Sequence, residues 1–100
     1  MVLLVALTLI HGSVRIGPTM PVCKPGVPCT RPAAHVRLTF THGASRHQVT
    51  TDAQGRYRLS LAAGAWTVRT NAGIHMTPVR ISVPRALSFR RDFLIDTGIR

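Results

Sequence analysis

One hundred residues allow a single domain with one modest core. Thirteen basic side chains face three acidic ones, a formal charge of +10, which invites a polyanion partner. Three carboxylates, with no phosphate-cradling glycine loop, nucleophile elbow or His-Glu zinc motif, leave no catalytic residue, cofactor or metal to assign, so no enzyme is expected.

The chain opens on MVLLVALTLI, an uncharged apolar run. A bilayer-spanning helix needs about 20 such residues, so no transmembrane span is expected. Residues 1–8 read instead as the remnant of a secretory signal peptide, its basic leader lost to a start site placed downstream of the true one. Residues 9–100 form the single domain, and Leu9 to Ile16 the first strand. The protein is accordingly expected outside the cytoplasm, secreted or in the cell envelope.

Residues 17–33, GPTMPVCKPGVPCTRPA, hold five of the seven prolines and both cysteines. That proline density excludes helix and central strand, leaving an ordered loop. The Pro25-Gly26 turn folds Cys23 and Cys29 toward each other, and a local disulfide between them fits an oxidising compartment. Zinc would need two further ligands at compact spacing, which the five histidines do not supply. A catalytic thiolate would need an activating environment that a proline-dense loop offers poorly.

From residue 35 the apolar residues alternate. HVRLTFT puts Val36, Leu38 and Phe40 on one face, and HQVTT follows after the HGASR turn. DAQG has Asp first and Gly fourth, as a type I turn prefers. RYRLSL buries Tyr57, Leu59 and Leu61, and AWTVRT buries Trp66 and Val68. Residues 71–78 connect to VRISV, which offers Val79, Ile81 and Val83. FRRDFLI closes the chain with Phe89, Phe93 and Ile95 on one side, interrupted by Arg91. Seven short strands without a helix predict an all-β, mostly antiparallel sandwich of Ig-like or transthyretin-like form.

The stretch Thr51-Asp52-x-x-Gly55-x-Tyr57-x-Leu59-x-Leu61-x-x-Gly64-x-Trp66-x-Val68 resembles the hallmark of carboxypeptidase regulatory-like domains. That resemblance implies a transthyretin-like fold, with the motif spanning a hairpin and the following strand; it says little about activity. The residues make the same case by themselves. Asp52 can start a turn, Gly55 and Gly64 can take backbone shapes costly for other residues, and Tyr57 and Trp66 carry large apolar area with polar tips. An alternative use for the two aromatics is to stack on sugars, as in a carbohydrate-binding module, but their register with Leu59, Leu61 and Val68 favours the core. Related adhesin modules crosslink a strand Lys to an Asn; here Lys24 sits in the cysteine loop and Asn71 is the one Asn, so that chemistry is not expected.

If Asp92 and Asp96 lie on one extended strand they stand about 13 Å apart, too far for a paired-carboxylate glycosidase. His42 and His47 flank one turn and could meet across it, yet two imidazoles alone make a poor metal site. His11, His35 and His75 are scattered. The arginines fall on alternate positions, hence on solvated faces, and no zinc-finger, helix-turn-helix or aromatic RNA-binding pattern points to specific nucleic-acid readout. The expected function is a noncatalytic extracytoplasmic module, a structural accessory or a binder of an acidic envelope protein or polymer. Its contacts are expected at the 17–33 clamp, the 71–78 loop and the arginine faces. The alternative is a basic protein that adheres to polyanions through charge alone.

Overall fold

The computed structural model describes residues 7–26, 29–72 and 75–98. Among them there is no helix, and ten strands run in the order β1 (Leu7–Gly17), β2 (Arg31–Pro32), β3 (Arg37–His42), β4 (Ser45–Thr50), β5 (Arg56–Ala62), β6 (Gly64–Thr70), β7 (His75–Thr77), β8 (Arg80–Val83), β9 (Ser88–Arg90) and β10 (Phe93–Asp96). Ten strands replace the seven expected. Two of the extra ones are short edge pairings, β2 on β1 and β7 on β10, inside segments expected to be loops. The third arises because the closing strand is two strands.

That break has a clear cause. A continuous strand from Phe89 to Ile95 would turn the Arg91 side chain into the core along with Phe89 and Phe93. The chain instead leaves the strand at Arg91-Asp92, with Arg91 exposed. The Arg91 N–H donates to the His11 carbonyl (2.8 Å), and its own carbonyl accepts the Tyr57 hydroxyl. On β1 the break faces Gly12, where a Cβ would collide with the Arg91 carbonyl oxygen.

β1 is the spine of a six-stranded mixed sheet. Its first half pairs antiparallel with β5 and parallel with β9; its second half pairs parallel with β10 and antiparallel with β2. The other sheet is antiparallel, in the order β4-β3-β6-β8. Residues 1–6, most of the segment read as a signal remnant, lie outside the described residues. Leu7 and Thr8 belong to β1, where the Thr8 hydroxyl donates to the Pro84 carbonyl at 2.7 Å.

The inward side chains of both sheets meet in one core that includes Ile10, Val14, Leu38, Phe40, Tyr57, Trp66, Val68, Ile81 and Phe93. Phe40 of one sheet touches Tyr57 and Phe93 of the other, with ring centroids 6.1 and 6.2 Å away, and the latter two lie 5.6 Å apart. Leu59 is half-buried against this core. Val79, expected inside, is 54% exposed. It sits on the bend before β8, so the pleat that buries Ile81 and Val83 begins after it.

Candidate functional site

The motif of residues 51–68 crosses the sandwich twice. β4 and β6 belong to the antiparallel sheet and β5 to the mixed one, and β5 pairs with neither. The turns at Asp52–Gly55 and at Gly64 are therefore passages from one sheet to the other, where a hairpin was expected. The Gly55 N–H donates to the Asp52 carbonyl (3.0 Å), while Asp52 Oδ1 accepts from the backbones of Gln54 and Arg56, both at 2.9 Å. The hydrogen bond from Arg56 leads in holding the Asp52 carboxyl below its ordinary range. Just before it, the buried Thr51 hydroxyl donates to the Ala33 carbonyl and accepts from the Val36 N–H, tying the turn to the end of the proline-rich segment.

Tyr57 and Trp66 are 4% and 3% exposed, so neither offers a ring face for sugar stacking. Each satisfies its polar tip on backbone: the Tyr57 hydroxyl on the Arg91 carbonyl, and Trp66 Nε1 on the Ala62 carbonyl at 2.9 Å. Gly64, which starts the second passage, has φ +140°. Asp52, Gly55, Tyr57, Gly64 and Trp66 thus serve the scaffold.

Burial, aided by the charge of Asp92 and opposed by Arg91, pushes the Tyr57 phenol well above its ordinary value of 10. The folded state favours the neutral phenol, so this stabilisation is complete below the unfolded pKa near 10 and is lost as pH rises toward the higher folded one. Tyr57 is the sole tyrosine. The ultraviolet tyrosinate band should stay absent in the native protein past pH 10 and appear there in denatured protein; coincident titrations would contradict the buried hydroxyl.

Cys23 and Cys29 are joined, with Cα atoms 5.5 Å apart. The bridge closes a short loop next to the end of β1, where Thr19 N–H donates to the Cys29 carbonyl at 2.8 Å. A loop of this size gives about 2 kcal/mol in the chain-entropy account. Reduction should therefore lower the denaturation midpoint modestly and leave the fold intact, as checked by urea unfolding with and without reductant; complete unfolding on reduction would contradict it.

His42 and His47 each lie beside Trp66. Their ring centroids lie 5.4 and 5.6 Å from the indole, and His42 Nδ1 donates to the Ala65 carbonyl at 2.6 Å. They close the exposed end of the core. Among the described residues no three His, Cys, Asp or Glu side chains gather as a metal site.

The carboxylates also serve local structure. Asp92 Oδ1 accepts from the Ser13 N–H at 2.8 Å and meets Arg90 Nε at 3.4 Å; Asp96 Oδ1 accepts from the Gly98 N–H at 2.8 Å; and Asp52 meets Arg56 at 3.7 Å. Long-range pairing creates what sequence reasoning missed. Arg58, His11 and Arg90 stand opposite one another on β5, β1 and β9, a cross-strand row on the mixed sheet with an arginine at each end. An open cleft of about 730 Å³ lies along this row. Alternation signalled that Arg58 and Arg90 face outward, but their alignment with His11 depends on the register of strands distant in sequence.

Among the described residues no helix is long and apolar enough to cross a membrane. In comparisons with known proteins the chain matches no family profile, no curated protein and no solved structure.

Proposed function

We propose that this chain is a noncatalytic module of the carboxypeptidase regulatory-like kind, working outside the cytoplasm and meeting an acidic envelope protein or polymer through its arginine-covered faces. The observation that carries the reading is a division of labour. The motif aromatics Tyr57 and Trp66 point inward and satisfy backbone groups, while the cations point outward, and among the described residues only Arg56 and Arg90 are ion-paired. Unpaired guanidinium groups on a rigid sheet are ready donors for carboxylate, sulfate or phosphate. The Cys23–Cys29 bridge supports an oxidising compartment.

A second reading, adhesion by net charge alone, is favoured by the +10 balance. Titration with an acidic polymer and its neutralised counterpart over a salt series separates the two. Saturation at a fixed stoichiometry supports a module with a defined face; a steep fall with salt and no saturation supports charge alone. Turnover of a hydrolase substrate that vanished on mutating one His or Asp, with the fold intact, would overturn both.

A further inference from the structure

The outer surface of the antiparallel sheet gathers arginines from four strands. Its outward positions carry Arg37, Arg46, Arg69 and Arg80, separated by Thr, Ser and Gln, and all four arginines are exposed. No carboxylate lies on its strands: Asp52 is in a turn, Asp92 just precedes β10 and Asp96 ends it. Its arginines have no ion-pair partner among the described residues.

Register arranges three of them on a line. Thr39 pairs with Arg69 and Thr67 with Arg80, so moving from Arg37 on β3 to Arg69 on β6 to Arg80 on β8 shifts one strand sideways and two residues along at each step. With strands about 4.8 Å apart and about 3.4 Å per residue, each step is about 8 Å. Arg46 lies in the same cross-strand row as Arg80, with Thr41 and Thr67 between them. Arg69 and Arg80 also line a shallow groove of about 960 Å³ at the end of the diagonal, together with the exposed Val79.

Resting on the function proposed above, we propose that this diagonal is the binding track for an extended acidic polysaccharide. Guanidinium forks at regular intervals match carboxylates along a chain, and the Thr39, Thr41, Thr67 and Ser82 hydroxyls between them can exchange hydrogen bonds with sugar hydroxyls. The face is an unbroken sheet, to which an extended chain can lie flat, whereas a duplex cylinder would touch it along one line. It carries no aromatic residue, since Phe40, Tyr57, Trp66 and Phe93 are buried and Phe89 lies half-buried on the other sheet. Stacking of single-stranded bases therefore has no platform there.

The test compares two charge-matched triple variants by isothermal titration with polygalacturonate, both checked for unchanged circular dichroism and melting. R37Q/R69Q/R80Q clears the diagonal; R56Q/R58Q/R90Q removes the same charge from the mixed sheet. Loss of three exposed charge contacts predicts roughly tenfold weaker binding for the first variant, with the second changed less than about threefold. Equal losses in both would overturn the track and leave a charge-only polyanion binder. Wild-type affinity for duplex DNA equal to or above that for polygalacturonate would overturn the polysaccharide assignment. Wild-type protein that binds no acidic polymer would overturn the track and the proposed function together.

Discussion

Alanine at Gly55 is expected to cost about 3 kcal/mol or more, and alanine at Gly43 about 1 kcal/mol, in urea unfolding. Both glycines have positive φ, +76° and +57°, so both substitutions meet the left-handed backbone penalty. They differ in what surrounds them. A Cβ on Gly43 meets nothing within 4 Å, while one on Gly55 lies 2.5 Å from the Val14 carbonyl oxygen and 2.9 Å from the Ala33 nitrogen. Those two atoms belong to the junction where β1 exchanges one partner for another: the Val14 N–H donates to the Gly55 carbonyl at 2.7 Å, and the Ala33 N–H to the Val14 carbonyl at 2.8 Å. Alanine can be fitted only by prising β1 from this junction. For a domain of this size, with total stability of about 5–15 kcal/mol, the loss would be readily visible. Equal costs at the two glycines would show that the turn shape alone matters and that the close approach is unimportant.

Phe40→Ala is expected to cost about 3–5 kcal/mol. Phe40 is wholly buried and touches Tyr57 and Phe93 across the sandwich, so its loss opens a cavity between the sheets at their main aromatic contact. Val79→Ala is the matched contrast. With Val79 more than half exposed, the change should stay within about 0.5 kcal/mol. Chemical denaturation of both variants checks the assignment. A cost at Val79 approaching that at Phe40 would mean that β8 is buried from Val79 onward, as simple alternation would have it.

These contrasts show where the sequence is informative. Period-two patterning placed Leu38, Phe40, Tyr57, Trp66, Val68, Ile81 and Phe93 inside because each lies on a strand with one dry face. It misplaced Val79, since alternation does not say where a strand begins beside a proline. The charge at Arg91 announced a fault in the last strand, but not that the strand would break to keep Arg91 in water and lend its carbonyl to Tyr57. Sheet membership was beyond reach. Asp52 and Gly55 mark a turn equally well whether the chain doubles back beside itself or crosses to the opposite sheet. Strands of two or three residues such as β2 and β7 owe their existence to distant partners and carry no periodic signal.

The candidate surfaces follow the same division. Outward placement of each arginine was legible one strand at a time, yet the diagonal joins residues 37, 69 and 80 and the row joins residues 11, 58 and 90. Only pairing between remote segments creates either. The Cys23–Cys29 bridge was legible because its determinants are local, a short spacing and a turn between the two residues.

Chemical-shift mapping of the folded protein titrated with polygalacturonate is the most direct test of the central claim, that the motif builds the scaffold while the arginine face binds. Backbone signals of Arg37, Arg69 and Arg80 and of the threonines between them should move in a saturable way, and the Trp66 indole N–H should stay still. Shifts centred on Trp66 with its His42 and His47 neighbours, and a silent diagonal, would contradict the account.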